Sequence, residues 1–134
     1  MIPSNNTLLT SEFEIKTQPS NTYKMHINHN AINGNCDGIE AVIQSIYKIL
    51  NTERYQHIIY SWNYGFEFED LLGKPVDYAC VELQRRIQEA LLQDDRITSV
   101  TDFKFDNSTK RTVKVTFVVH TIYGDVESER KVVI

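Results

Sequence analysis

The sequence predicts an α+β fold, in which two main helices pack on a C-terminal three-stranded antiparallel sheet and a short β region lies near the N-terminus. Two segments, 37–51 and 75–91, place apolar residues at the three-to-four spacing of one helix face. From Ile97 onward, apolar and polar residues alternate, which is typical of strands. Because the sequence has no repeating β-α-β unit, helices and strands are expected to occupy separate parts of the chain.

The chain of 134 residues is long enough to bury one hydrophobic core. Residues 1–20 are polar and are interpreted as a flexible or extended arm, with one short strand expected at 13–16. Residues 21–134 are predicted to form a single domain. Within it, Thr22–Ile27 alternates as a strand does, and Asn33-Gly34 predicts a tight turn.

The first helix is predicted to begin at Asp37, whose carboxylate can cap free backbone amides. Glu40, three residues later, completes an approximate capping box, and Asn51 is a suitable end for the helix. The three-to-four spacing predicts a buried stripe of Ile39, Val42, Ile43, Ile46, Tyr47 and Leu50.

The segment between the helices is less regular. Tyr55–Tyr60 is rich in β-forming residues and predicts a short strand or an extended link. Gly65 interrupts the chain, and a turn of helix is expected before Gly73, with apolar residues Phe66, Phe68, Leu71 and Leu72.

The second helix is the clearest pattern in the chain. Pro75 suits its first position, and Asp77 lies in its first turn. Glu82 and Arg86 stand one turn apart, in the favourable order, on the side expected to be exposed. The predicted buried face comprises Val76, Ala79, Cys80, Leu83, Ile87, Ala90 and Leu91.

Three strands are predicted to complete the domain. The first covers Ile97–Phe105 and is followed by a turn at 106–108. The second covers Arg111–Thr121, and Gly124-Asp125 predicts the turn that leads to the third strand, Val126–Ile134. The inward face of the second strand is expected to consist of Val113, Val115, Phe117 and Val119.

Composition argues against several classes of partner. A formal net charge of −4 disfavours nucleic acid, and charges interrupt every segment long enough to span a membrane. His26 and His29 lack further ligands at zinc-like spacing, so neither a metal nor another cofactor is expected. Cys36 and Cys80 are not in a paired motif and are expected to be reduced.

The carboxylates of the chain raise the hypothesis of a hydrolytic enzyme. Glycoside cleavage requires two carboxyl groups that face each other across a sugar. Glu40, Glu53 and Asp70 can be cast in those roles, but capping explains Glu40 and an ion pair with adjacent structure explains Glu53. Motifs for a serine nucleophile or a phosphate loop are absent from the sequence. No catalytic residue is therefore assigned.

The pair Glu53-Arg54 lies just after the predicted end of the first helix, and Tyr64-Gly65 lies about ten residues farther along the chain. Arginine offers a rigid fork of donors that can hold a carboxylate or backbone carbonyls in one geometry. Glu53 and Arg54 are therefore interpreted as a structural clamp. Gly65 is expected to supply a backbone geometry that a larger residue cannot adopt.

Over most of residues 20–134 the chain resembles the small baseplate wedge family of contractile phage tails, also called sheath initiators, and above all its Gram-positive prophage and bacteriocin branch. The positions that carry the resemblance are, in chain order, Asp37 to Val42, Asn51 to Tyr55, Tyr64 with Gly65, and Asp94 to Ile97. The wider family has a Glu-Pro-Arg signature where this chain has Thr52-Glu53-Arg54.

The resemblance implies two partner-binding surfaces. Through Glu53, Arg54, Tyr64 and Gly65 the chain would contact the helical core bundle of the larger wedge subunits. The C-terminal strand ends in an apolar β-forming run, and such an edge exposes unpaired backbone groups that another chain can use. The resemblance implies that sheath strands pair there, at Val126, Ser128, Arg130, Val132, Val133 and Ile134.

The implied function is that of a non-enzymatic baseplate component which joins the wedge to the tail and templates the first sheath ring by β-strand pairing. Its partners would be the larger wedge subunits and the tail sheath protein, with central hub or tube proteins as further candidates. Several copies would surround the tail axis of a phage or bacteriocin particle assembled in the bacterial host cytoplasm. Two alternatives stay open: a peptidoglycan-cleaving, lysozyme-like enzyme of the tail, and an unrelated small α+β assembly adaptor.

Overall fold

The structure, a computed structural model, describes residues 19–134 and confirms the α+β class. The strand expected at 13–16, with nearly all of the N-terminal arm, lies outside the described residues. Helices and strands follow one another in the order β1 (Thr22–His26), β2 (Ala31–Cys36), α1 (Gly38–Leu50), α2 (Val76–Leu91), β3 (Ile97–Asp106), β4 (Thr112–Thr121) and β5 (Gly124–Val133).

The C-terminal sheet is antiparallel, with strand order β3-β4-β5. Its central strand, β4, is the most regular element of the core, because every second residue points inward. The predicted inward face is confirmed, and all four of its side chains are fully buried: Val113, Val115, Phe117 and Val119.

The turn between β4 and β5 lies two residues earlier than predicted. Thr121 pairs directly with Gly124, so Ile122 and Tyr123 form a two-residue hairpin turn, and the turn predicted at Gly124-Asp125 is wrong. Gly124 has a φ of +130°, a conformation that suits glycine at the first residue of the new strand. The Tyr123 hydroxyl lies 2.9 Å from the hydroxyl of Ser20.

The two outer strands of this sheet differ in regularity. β3 contains a bulge, since Thr101 pairs with Val118 whereas Lys104 pairs with Thr116, and Asp102 within it has a φ of +58°. β5 instead pairs with β4 without any register shift from Gly124 to Val133. Within residues 19–134, β5 therefore provides the straighter free edge.

The inward face of α1 differs from the predicted stripe. Ile39, Ile43 and Tyr47 remain 38%, 47% and 41% exposed. The residues actually buried are Ala41, Val42, Gln44, Ile46, Ile49 and Leu50. The reason is that α1 is covered on two sides, by the core and by the β1-β2 hairpin, and this leaves an apolar strip uncovered between them.

Gln44 joins the β1-β2 hairpin to α1. Its Oε1 accepts a hydrogen bond of 2.9 Å from Met25 N, and its Nε2 donates one of 2.8 Å to Tyr23 O. The turn predicted at Asn33-Gly34 is wrong, because the chain reverses through a 3-10 turn at Ile27–His29. Asn33-Gly34 instead lies within a bulge of β2, where a residue is added opposite β1.

The ends of the helices largely follow the sequence. Asp37 caps α1 by accepting a 2.7 Å hydrogen bond from Gly38 N, and Asn51 ends that helix. Within residues 19–134, Glu40 does not complete the predicted capping box by bonding to Asp37. Pro75, which was predicted to occupy the first position of α2, lies one residue earlier, at the N-cap.

The pair Glu82–Arg86 forms as predicted, at 3.1 Å, but it is not on an exposed side. The Arg86 side chain is only 10% exposed, because its guanidinium also bonds Asp70 and the carbonyl of Glu67. In the predicted buried face of α2, Val76 and Cys80 are only half-buried. The other five residues are buried as predicted: Ala79, Leu83, Ile87, Ala90 and Leu91.

The segment between the helices contains turns. Tyr55–Tyr60 forms neither a strand nor an extended link, so that expectation is wrong. The expected helical turn is present as a short 3-10 helix, Glu69–Leu71, which buries Leu71 completely and leaves Leu72 exposed. Between residues 19 and 134, no helix combines the length and apolar character needed to cross a membrane.

The last strand contributes to the core, which makes its truncation costly. Val132 is 3% exposed, whereas its neighbour Val133 is 60% exposed. We expect Val132→Ala to lower the free energy of unfolding by about 2 kcal/mol, because it removes buried methyl groups and leaves a cavity. Val133→Ala is the matched control and should change it by less than about 0.5 kcal/mol in denaturant melts. Equal effects would contradict the assigned face of β5.

Candidate partner-binding surfaces

Arg54 fastens the segment that follows α1. Its Nε donates a 2.9 Å hydrogen bond to the carbonyl of Trp62, and its Nη1 donates one of 3.1 Å to Glu89 on α2. The guanidinium also lies 4.7 Å from the ring centroid of Tyr55. The predicted fork is therefore present, and it holds both ends of the segment 55–62, which we call the aromatic loop.

Glu53 contacts the segment 66–68 through its backbone and through one side-chain hydrogen bond. It forms an isolated parallel bridge with Phe66, and its Oε2 accepts a 3.2 Å hydrogen bond from Phe68 N. The expected ion pair is not formed within residues 19–134. Burial raises the pKa of the Glu53 carboxyl; the nearby charges of Glu69 and Asp70 act in the same direction, and the Phe68 N–H acts against it.

Gly65 permits the close approach of two chain segments. It has a φ of +100°, and a Cβ at this position would lie 2.8 Å from the carbonyl oxygen of Thr52 and 3.1 Å from the Cα of Arg54. The next residue, Phe66, donates its N–H to the same Thr52 carbonyl at 2.9 Å. The prediction that a larger residue cannot take this position is confirmed in geometric terms.

Tyr64 completes the group of residues predicted to bind the wedge. Its ring stacks on that of Tyr60 with centroids 4.4 Å apart, and its inner side packs on the core. Burial raises the pKa of the Tyr64 hydroxyl. The fold thus brings Glu53, Arg54, Tyr64 and Gly65 together, with contacts to their own chain, and their contact with a partner stays a prediction.

The aromatic loop is a surface that the sequence analysis did not assign. Ile58, Ile59 and Trp62 are 102%, 85% and 83% exposed. Isolated exposed apolar residues are common, but several in one short loop indicate an interaction site. The run of β-forming residues at 55–60, which predicted a short strand or an extended link, was a signal for this site.

The edge of β5 has a defined hydrogen-bonding phase. Ile134 N donates to Arg111 O at 2.9 Å, and this pair continues the register in which Val132 faces Val113. In an antiparallel ladder, hydrogen-bonded and non-hydrogen-bonded pairs alternate. Even-numbered residues of β5 therefore direct their backbone groups toward β4, and odd-numbered residues direct theirs toward the free edge.

This alternation places most of the residues predicted for strand pairing on the wrong side, with their backbone groups toward β4 and not toward the free edge. Val126 and Val132 belong to the core, and Ser128 and Arg130 are half-buried on the same face. All four are even-numbered, so their backbone N–H and C=O groups bond to β4. Ile134 likewise bonds to Arg111. Among the residues predicted for strand pairing only Val133 faces the free edge. Four residues that were not predicted for pairing also face it: Asp125, Glu127, Glu129 and Lys131.

The charged side chains on this strand are held in place across the sheet. Glu129 pairs with Lys114 at 2.8 Å, and Asp125 lies 2.7 Å from the Nδ1 of His120. Both pairs stand on the solvent face, away from the helices. Charged residues along an edge strand oppose pairing with an identical edge.

Two of the three carboxylates considered for hydrolysis, Glu53 and Asp70, are engaged in structural contacts. Asp70 accepts hydrogen bonds from both Nη atoms of Arg86, and these hold the pKa of its carboxyl below the usual range despite some burial. A nearby cavity of about 240 Å³ is lined by Arg54, Arg85, Arg86 and Glu89 but by neither Glu53 nor Asp70. Residues 19–134 contain no group of three side chains able to hold a metal ion.

A protein-family model described as the contractile injection system sheath initiator matches residues 9–124. The chain therefore belongs to the family of contractile injection system sheath initiators, which confirms the family indicated by the resemblance. Over 116 residues it is 41% identical to the phage-like element PBSX protein XkdS of Bacillus subtilis strain 168; the match covers 84% of this chain and 82% of that protein.

The fold is also found in a solved assembly. A chain in the cryo-EM structure of the anti-feeding prophage baseplate, 6-fold symmetrised, superposes with a TM-score of 0.54. The two chains are 21% identical, and the match covers 72% of this chain and 78% of that chain. At this level of identity the likeness shows a shared fold.

Gly65 offers a test of the close approach beneath the aromatic loop. We expect Gly65→Ala to lower the free energy of unfolding by about 3 kcal/mol, because the new Cβ adds an overlap with Thr52 to the strain of a positive φ. Gly73→Ala is the control, since Gly73 has a φ of +78° but open space around it, and should cost about 1 kcal/mol. Thermal melts that rank the two variants in the opposite order would contradict this geometry.

Proposed function

We propose that this protein is a structural component of the baseplate of a contractile phage-like particle, where it joins the wedge to the tail and templates the first sheath ring by β-strand pairing. Membership of the sheath-initiator family supports this, as do a relative named for a phage-like element and a structural neighbour from a baseplate. The observation on which the proposal rests is the straight, unshifted outer edge of β5.

The chemistry of that edge suits the addition of a strand. Residues from Asp125 to Val133 offer outward N–H and C=O groups at every second position, so an incoming strand can form a continuous ladder. Such pairing derives affinity from the backbone and places little demand on side-chain identity. The opposite edge of the sheet, on β3, is bent by the bulge at Asp102 and is a poorer template.

The aromatic loop is proposed as the contact with the larger wedge subunits. Arg54 fixes the loop to α2, so Ile58, Ile59 and Trp62 are presented on an ordered base. Holding such side chains in place before binding reduces the entropy lost on association. In this proposal Arg54 acts indirectly, by positioning the loop, and the exposed side chains make the contact.

The enzymatic alternative receives less support from the site. Burial raises the pKa of Glu53, which a general acid requires. Its carboxylate is nevertheless bonded to the Phe68 N–H, and Asp70 is held by Arg86. With both groups committed to the fold, we propose that the protein has no hydrolytic activity.

The arrangement in the particle follows from the same proposal. Several copies would surround the tail axis, each offering its β5 edge to a sheath subunit, and assembly would take place in the cytoplasm of the bacterial host. The solved neighbour comes from a baseplate that was symmetrised six-fold. Repetition around an axis multiplies a modest affinity per copy.

A proline at an outward position can block the β5 edge while the inward side chains of this strand stay unchanged. In Glu127→Pro the ring takes the place of an outward N–H, so we expect the free protein to lose about 1 kcal/mol or less while it no longer nucleates sheath. Sheath assembly on purified baseplates, followed by electron microscopy, measures this. Glu127→Thr keeps the N–H and should assemble normally.

A neighbouring proline tests the assigned phase. The N–H of Ser128 bonds within the sheet, so Ser128→Pro should lower the free energy of unfolding by about 2 kcal/mol or more. If Glu127→Pro is folded and still assembles full-length sheath, templating by this edge is wrong.

The aromatic loop can be tested by removing exposed apolar groups. The double variant Ile58→Ser, Ile59→Ser should keep the melting temperature of the free protein, because both side chains are exposed. Its binding to the larger wedge subunits should fall at least about tenfold, since apolar burial is lost only in the complex. Val81→Ser, at a position 69% exposed on α2, is the control and should bind normally in a pull-down titration. Unchanged binding by the double variant would reject the loop as the wedge contact.

A further inference from the structure

The apolar strip left uncovered on α1 runs beside the free edge of β5. Ile39, near the start of α1, has its Cδ1 3.8 Å from the position that a Cβ on Gly124 would occupy. Farther along, Asn51 at the end of α1 bonds Arg130 at 3.0 Å. Helix and strand therefore run side by side in the same direction, with the strip of Ile39, Ile43 and Tyr47 along their junction.

A groove of about 400 Å³ opens at this junction. It is bounded on the helix side by Ile43 and Tyr47, and on the strand side by residues 128–131. Its helix wall is apolar and its strand wall includes the edge already described. A strand added to β5 would extend the sheet over this groove, and its inward side chains would meet the α1 strip.

Arg130 places an unpaired charge in the groove. Its Nη1 donates to the amide oxygen of Asn51 and its guanidinium lies 5.2 Å from the ring centroid of Phe68, but its Nε is buried without a hydrogen-bond partner in the described part of the chain. Burial lowers the pKa of this guanidinium. The other half-buried arginines among residues 19–134 are Arg54, Arg86 and Arg96, and each of them bonds a carboxylate.

We infer that the groove between α1 and β5 is a side-chain recognition site for a strand of the tail sheath protein, which places alternate apolar residues on the Ile39–Ile43–Tyr47 strip and a carboxylate against Arg130. This inference rests on the proposed strand pairing and adds the chemistry of the partner. Residues directly opposite each other in a sheet direct their side chains to the same face. The inward positions are therefore those opposite Val126, Ser128 and Arg130, with the carboxylate opposite or diagonal to Arg130.

The test uses the full-length protein and the purified sheath protein of the same particle. Ile43→Ser with Tyr47→Ser removes the apolar wall, and Arg130→Met removes the charge while keeping the bulk of the side chain. We expect Arg130→Met to leave the melting temperature unchanged or raised, because it removes a half-buried charge that has no carboxylate partner among the described residues. Its sheath binding should fall at least roughly thirtyfold, because the partner's carboxylate is left without its cation.

Matched controls separate the groove from general surface effects. Lys104→Met removes a positive charge from an exposed position on β3, at the opposite edge of the sheet, and Val81→Ser removes an exposed apolar group from α2. Both should bind sheath like the original protein. Arg130→Glu should abolish binding, and an acid-to-lysine change at one position of the sheath strand should restore it, which a merely structural arginine would not allow.

The outcomes distinguish this inference from the proposal beneath it. If Glu127→Pro blocks sheath binding while the groove variants bind normally, strand pairing stands and the recognition site is wrong. If Glu127→Pro has no effect, the proposed strand pairing itself fails. If Ile43→Ser with Tyr47→Ser lowers the melting temperature of the free protein as much as Val132→Ala does, the groove is filled by its own chain and the inference is overturned.

Discussion

The buried face of β4 is the constraint on which the rest of the structure depends. Its four inward side chains are fully buried, which requires both helices to cover the same side, and its backbone pairs with β3 on one edge and β5 on the other. Because α1 lies toward β5 and also supports the β1-β2 hairpin through Gln44, it cannot bury its whole apolar circumference. The uncovered strip and the open edge beside it follow from this placement.

Arginine side chains connect the elements around that core. Arg54 joins the aromatic loop to α2 through Glu89, and Arg86 joins α2 to the 3-10 turn through Asp70. Arg96 holds Asp94 at 2.7 Å and also bonds Ser45 on α1, which ties the start of β3 to that helix. Burial opposes ionisation of Asp94, but the hydrogen bonds from Arg96 outweigh it and lower the pKa of the carboxyl. Each of these three pairs uses a charge that the fold itself satisfies.

Much of the fold could be predicted from local pattern, and the errors have common physical causes. The alternation of β4 and the apolar face of α2 reflect burial against one partner, so the sequence period was sufficient. The stripe of α1 was misassigned because that helix has two partners. The turn at Gly124 and the backbone phase of β5 depend on register, which no single strand reveals. The aromatic loop was missed for a related reason, since its apolar residues follow no period.

The tight turn at Ile122-Tyr123 links correct folding to readiness for assembly. In a strand, the face that a side chain occupies and the direction of its backbone groups change together from one residue to the next. A slip of one residue between β4 and β5 would expose Val126 and Val132 and would at the same time reverse which backbone groups reach the open edge. A misregistered molecule would therefore be less stable. Its outward N–H and C=O groups would also no longer match those of a strand that pairs with the native edge. If β5 pairs with a sheath strand as proposed, the packing that selects the native register also excludes misregistered copies from the ring.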